Sequence, residues 1–320
     1  MERTAYYAQP GQQMTSTFNT RLPEIYQIEI TNACNFACSF CPRDLPGIRR
    51  PDTFLDLKLA EMIAKRDLGG SYFVEFQLAG EPTLHKQFND IIALYKGKVL
   101  TGMSTNGSSV HGCLPGLLNL DYLTISIDSV EKYEEVRPGG KWERLVRNID
   151  MLLDAKGNSP WPHIDLQLIE FPGVERQREL LLNLCKARGW ENSVVVRTIP
   201  DCFLSITREY RESRRKELCL NPWMSVSIQA DGDVSSCCFS FGKEITYGNL
   251  KEQSLEEIWT TSEELKKFRE EHLTKNYRPI CERCYMRSPV MLHLDLYWGA
   301  VKDKLLKERY GTSSNQPPAP

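Results

Sequence analysis

What the chain has little of narrows the field first. No apolar run reaches roughly 18 residues, so nothing reads as a membrane-spanning helix. The opening Met1-Glu-Arg-Thr-Ala-Tyr-Tyr lacks the charged and apolar regions of a secretion signal, which sets cytoplasmic as the expected location. The net charge is only −2 and no basic stripe or aromatic-interleaved basic patch occurs, which removes the electrostatic case for nucleic acid. Lys266, Lys267 and Arg269 read as the solvated face of a helix. Histidine is scarce, five in 320 residues, and offers few nitrogen ligands for a metal. No internal repeat is visible.

Cysteine is the exception. There are eleven, an odd count for paired disulfides, and they cluster unevenly. That argues against a secreted disulfide framework and for metal ligation. The densest group is Thr31-Asn-Ala-Cys34-Asn-Phe-Ala-Cys38-Ser-Phe40-Cys41. Three thiolates in one loop can hold three irons of a cubane cluster, leaving the fourth iron open to a substrate or cofactor. Half of a zinc site, or incidental core cysteines, are the alternatives. No His or Cys follows soon after Cys41 to complete a zinc set.

The Cys-x3-Cys-x2-Cys spacing, with Phe40 before the last Cys, resembles the signature of the radical S-adenosylmethionine (SAM) superfamily. The resemblance implies that SAM chelates the open iron and that one electron releases a 5′-deoxyadenosyl radical. Phe40 would then pack near the SAM adenine. A protein reductant, flavodoxin or ferredoxin, is implied as partner.

Periodicity supplies an independent fold expectation. Glu24–Ile30 alternates as a strand and delivers the chain into the cysteine loop. Strands are expected at Tyr72–Leu78, Lys98–Thr105, Tyr122–Ile127, His163–Ile169 and Ser193–Ile199, and helices at Leu55–Lys65, Phe88–Tyr95, Trp142–Leu153 and Arg176–Arg188. This alternation predicts an α/β fold, a partial (β/α)6 TIM-like barrel with ligands at the C-terminal strand ends. Beyond about residue 205 a β-hairpin around Ala230-Asp231-Gly232-Asp233 is expected, then a capping box, Ser254-Leu-Glu-Glu257, opening a helix to about Glu271. The organisation predicted is an N-terminal arm (1–22), the barrel (23–205), a small hairpin-plus-helix domain (206–295), and a C-terminal helix with a disordered tail (296–320).

The strand ends carry further matches. Leu78-Ala79-Gly80-Glu81-Pro82 resembles the family's Gly-Gly-Glu segment, with Ala79 in place of the first Gly. By that resemblance Gly80 permits close backbone approach and Glu81 accepts from the SAM ammonium. Ser104 and Asn106 end the third strand, and Ser126 and Asp128 end the fourth. The resemblance places the second pair near the SAM ribose or carboxylate. Arg137 resembles the Arg that faces the SAM carboxylate, with a surface ion pair as the ordinary alternative. Gln167 lies on the strand that contacts adenosine in the family.

Cys219, Cys237, Cys281 and Cys284 form the second constellation. Cys219-x12-Gly232-x4-Cys237, followed by Cys281-Glu-Arg-Cys284, resembles the SPASM/twitch auxiliary-cluster domains. With no cysteine after Cys284, the shorter twitch form is the better match, and two [4Fe–4S] clusters are expected in all. Four thiolates leave no open iron, which suits electron transfer; an all-cysteine zinc site is the alternative. Cys113, Cys185 and Cys202 read as packing residues. Cys238, beside a ligand, is the candidate catalytic hydrogen donor, although vicinal cysteines are ordinary in such hairpins. The expected substrate is a ribosomally made precursor peptide, undergoing oxidation, cross-linking, epimerisation or excision. The N-terminal arm is too short for a leader-binding domain, so a separate leader-binding protein is expected. A small-molecule dehydrogenase acting on an aminocyclitol or sugar alcohol is the second reading, and a non-catalytic cluster scaffold the third.

Overall fold

The polar–apolar alternation of each strand sets the architecture in the computed structural model, which describes residues 22–44, 48–69, 71, 73–199, 219, 221–238, 240, 242–282 and 284. Cys202, the expected N-terminal arm up to residue 21, and the C-terminal helix and tail lie outside the described residues. Strands β1 (Ile25–Ile28), β2 (Phe73–Phe76), β3 (Leu100–Thr105), β4 (Tyr122–Ser126), β5 (His163–Ile169) and β6 (Val195–Ile199) pair in parallel, in sequence order. Between them run α1 (Leu57–Met62), α2 (Phe88–Ala93), α3 (Leu114–Asn119), α4 (Tyr133–Val136), α5 (Trp142–Lys156) and α6 (Val174–Arg188).

β7 (Ser225–Ile228) pairs in parallel with the other side of β1. β8 (Asp233–Ser235) and β9 (Gly248–Asn249) continue antiparallel, so one nine-stranded sheet runs β6-β5-β4-β3-β2-β1-β7-β8-β9. The hairpin expected as a separate small domain is thus hydrogen-bonded into the barrel sheet. Around it lie α7 (Asn221–Met224), α8 (Leu255–Thr261), α9 (Glu263–Leu273) and α10 (Pro279–Glu282).

One face of the sheet carries Ile28, Val74, Phe76, Met103, Leu123, Ile125 and Leu166, packed with Ile91, Ile149, Leu152 and Leu181 from α2, α5 and α6. Every second residue points the other way. That face presents Gln27, Glu75, Ser104, Thr124, Ser126, Asp165, Gln167 and Arg197, an unusually polar lining for a strand surface. Asp165 is buried there, its carboxyl pushed up to about 6 by burial despite the Arg197 guanidinium 3.0 Å away.

Two differences from the expected elements have local causes. The single helix expected from Ser254 to Glu271 is two: the Ser254–Glu257 capping box opens α8, and Ser262, extended at ψ 117°, ends it and caps α9 through the Leu265 N–H. α3 is additional; Pro115 and Gly116 weaken its helical signature, but proline is tolerated in a first turn.

Candidate active site

The cysteine loop leaves the C-terminal end of β1 and is pinned from two sides. Thr31 Oγ1 donates to the Thr53 carbonyl at 2.6 Å, and Asn32 exchanges hydrogen bonds with Pro51 and Thr53. On the far side the Ala37 N–H donates to the Pro138 carbonyl at 2.8 Å and the Ser39 N–H to Val136. Gly139 makes that docking possible: at φ 98°, a Cβ there would meet the Asn35 carbonyl at 2.6 Å.

The three thiols lie close enough to act on one another's charge. The Cys38 thiol is pushed up to about 11 by burial, with Arg137 pulling it down and the Cys41 and Cys34 charges pushing it further up. Burial likewise raises Cys34 and Cys41. Nitrogen donors gather on the sulfurs. The Phe36 N–H donates to Cys34 Sγ at 3.4 Å, Asn106 Nδ2 lies 4.0 Å from the same atom, and Arg137 Nη1 is 3.6 Å from Cys38 Sγ. Three thiols ringed by N–H donors and a guanidinium fit an anionic iron–sulfur cluster, whose binding would displace the thiol protons. Among the described residues, no three His, Cys, Asp or Glu side chains gather into a site for a single metal ion.

Gly80 and Glu81 sit beside this loop, but against protein. A Cβ on Gly80 would lie 2.2 Å from the Thr31 carbonyl oxygen, so the close approach this glycine permits is to the segment leading into Cys34. Glu81 is 2% exposed and its carboxylate is committed. Oε1 accepts from the hydroxyls of Thr83 and Thr105, both at 2.6 Å, and from the Thr83 N–H; Oε2 accepts from the Asn106 N–H at 2.7 Å. Burial still raises its pKa against those four bonds. Glu81, expected to accept from the SAM ammonium, here ties the segment after β2 to the end of β3. Asn106, thus placed, donates to Asn35 at 3.0 Å within the cysteine loop. Glu81→Gln removes an acceptor facing a buried N–H, and should cost about 1–3 kcal/mol of stability in urea unfolding. Unchanged stability with weakened SAM binding would return the carboxylate to the ligand.

Arg137 and Asp128 are likewise engaged with each other. Arg137 Nε donates to Asp128 Oδ2 at 2.7 Å and Nη2 to the same oxygen, while Asp128 Oδ1 accepts from the Ile169 N–H at 3.1 Å. The exposed ion pair weighed for Arg137 is in fact a buried one. The Arg137 guanidinium lies over the half-buried Phe40 ring at 5.4 Å, and Phe171 borders Phe40 at 5.4 Å. Ser104, Ser126 and Gln167 are half-buried on the polar face of the sheet, with Ser126 and Gln167 direct cross-strand neighbours.

Glu29, Asn35, Arg43, Thr83 and Phe171 escaped the sequence reading. Glu29 accepts from Arg50 at 2.6 Å, from the Ala79 N–H and from the Ala230 N–H, joining the ends of β1, β2 and β7. The one available signal was Arg43, a cation two residues beyond Cys41, whose charge acts on Cys34 and Cys41.

The second thiol set lies at the other end of the β1–β7 pair. Cys219 precedes α7, which leads into the start of β7, and Cys237 follows β8 as it runs back towards that start. Cys281 is buried, and the Cys284 N–H donates to its carbonyl at 3.3 Å. Cys237 and Cys281 both act on the Tyr247 hydroxyl, which is held well above the usual phenol range by burial; a 2.6 Å bond to Ser236 and the Arg278 charge oppose that rise. Cys238 is half-buried, while Cys113 and Cys185 are buried, as packing residues should be.

Residues 28–164 match the radical SAM superfamily, and residues 219–285 match the SPASM iron–sulfur cluster-binding domain. The chain belongs to the radical SAM superfamily and carries a C-terminal SPASM domain. Its sequence is similar to the tungsten-containing aldehyde ferredoxin oxidoreductase cofactor-modifying protein of Pyrococcus furiosus, 25% identical over 315 residues, covering 82% of this chain and 87% of that protein. Its fold is similar to that of BtrN in complex with AdoMet and 2-DOIA: TM-score 0.56, 17% identity, 83% of this chain and 94% of BtrN. Streptococcus suis SuiB bound to precursor peptide SuiA gives TM-score 0.59 at 15% identity, over 78% of this chain and 67% of SuiB. No helix among the described residues is long and apolar enough to cross a membrane.

Proposed function

We propose that this enzyme uses S-adenosylmethionine to remove a hydrogen atom from a C–H bond of a ribosomally made peptide, and that Cys34, Cys38 and Cys41 hold its catalytic cluster. The observation that carries the reading is the three-thiol loop after the C-terminal end of β1, with nitrogen donors on the Cys34 and Cys38 sulfurs. A [4Fe–4S] cluster held by these three thiolates would supply the electron for reductive cleavage of SAM to methionine and a 5′-deoxyadenosyl radical. The chain's own residues do the rest. Glu81 and Asn106 fix the loop, Phe40 and Phe171 offer an apolar wall for the adenine, and Ser104, Ser126 and Gln167 offer hydroxyl and amide groups for a ribose or substrate. Cys219, Cys237, Cys281 and Cys284 would hold a fully ligated auxiliary cluster, which would supply a place for the substrate's surplus electron. Cys238 remains the candidate for returning a hydrogen atom.

The peptide assignment is supported by likeness of fold to SuiB, and the partners proposed with it are a leader-binding protein and a protein reductant. A second reading, a small-molecule dehydrogenase, is favoured by the two-way coverage of BtrN and by a four-cysteine auxiliary set. Anaerobic reconstitution should give about eight irons and eight sulfides per chain, and the reduced protein should release 5′-deoxyadenosine from SAM. Zinc with only four irons would remove the auxiliary cluster from the proposal. Deoxyadenosine formation accelerated by a neighbouring-gene precursor peptide supports the first reading; acceleration by an aminocyclitol or sugar alcohol instead supports the second.

A further inference from the structure

Arg137 has more contacts than a side chain waiting for a ligand carboxylate would need. Its backbone is fixed where α4 ends, by the N–H donating to the Tyr133 carbonyl at 2.8 Å. Its side chain is fixed by Asp128, whose own second oxygen is anchored on β5. With Nε and Nη2 both turned to Asp128, Nη1 is left aimed at Cys38 Sγ, 3.6 Å away. The pair is almost wholly buried, Arg137 7% and Asp128 3% exposed.

We propose that Arg137, aimed by Asp128, is a positioning residue for the catalytic cluster, donating to the Cys38 sulfur and easing the cluster's reduction. This rests on the reading that Cys34, Cys38 and Cys41 hold that cluster. Reduction adds a negative charge to the iron–sulfur unit and its thiolates. An N–H donor and a cation at one of those sulfurs favour the reduced form, and do so more strongly inside a low-dielectric site than in water. Asp128 meets Arg137 through Nε and Nη2, on the side away from the sulfur, and leaves Nη1 as the group 3.6 Å from Cys38 Sγ. The planar fork matters, because only a guanidinium reaches a carboxylate with two nitrogens and a sulfur with the third.

The test is an EPR-monitored redox titration of the reconstituted full chain. The signal that changes when SAM is added identifies the catalytic cluster. Two variants are read. Asp128→Asn/Arg137→Gln keeps the shape and a hydrogen-bonded pair without stranding a buried charge. Arg137→Lys keeps the charge and loses the fork. Both should move the midpoint to more negative potential, the neutral pair further, with the iron and sulfide content of the parent. A parent-like midpoint in either assembled variant overturns the proposal. So does loss of the cluster from both variants while circular dichroism shows the fold intact, since Arg137 would then only support the loop. A parent protein with no SAM-responsive signal is a different failure: it would remove the cluster assignment itself.

Discussion

Cys34→Ala is expected to abolish 5′-deoxyadenosine formation by the reduced protein, leaving no rate above a protein-free control. A cubane held by three thiolates has no ligand to spare; with two, the iron site that SAM must occupy is no longer defined. The chain should stay folded, because the loop is pinned by Thr31, Asn32, Ala37 and Ser39 through bonds that involve no sulfur. Alanine does cost the Phe36 N–H its acceptor, a local and half-exposed loss. Anaerobic incubation with dithionite and SAM, read by liquid chromatography and paired with circular dichroism, checks both halves. Deoxyadenosine at the parent rate from folded Cys34→Ala protein would place the reactive cluster elsewhere.

The second large effect separates the two cysteine sets. Cys281→Ala/Cys284→Ala should still make deoxyadenosine while losing the oxidised product, and its iron content should fall from about eight to about four per chain. Ligand count is the reason: four thiolates leave no iron open, so the auxiliary site has no place for SAM. Cys281 is buried beside Tyr247, and metal loss can loosen such a region. The measurement therefore requires a circular dichroism spectrum and a thermal midpoint near those of the parent. Product at parental yield from that protein would make the auxiliary site structural and end its role as an electron acceptor.

The backbone was more legible in the sequence than the site. β5 has the predicted bounds, His163–Ile169, because an interior strand with alternating faces states its own limits. The Ser254–Glu257 box was legible because both partners lie within one turn. Glu81 was legible as a special residue, but its partners within the fold were not. Its hydrogen bonds reach Thr105 and Asn106, 24 and 25 residues away, and nothing local announces them. Arg137 shows the same limit: the spacing marks it, but only the fold reveals that Asp128 and Cys38 are what it meets. Glu29 looked like one more outward residue of an alternating strand, because the backbone amides it joins belong to Ala79 and Ala230.

The place of β7 in the sheet bears on traffic around the molecule. Cys34 follows the outgoing end of β1, whereas Cys237 lies across the ladder from Ser225, where β7 begins beside Ile25. Four residues of strand, roughly 13 Å of rise, stand between the two ends. The first thiol set therefore follows the C-terminal end of β1, and Cys237 of the second lies near the opposite end of the same strand pair. A soluble electron carrier could then draw charge from the auxiliary thiols without touching substrate. Substrate entry and electron exit would not compete for one doorway, and inhibitors that plug the mouth should leave exchange at the far end unaltered.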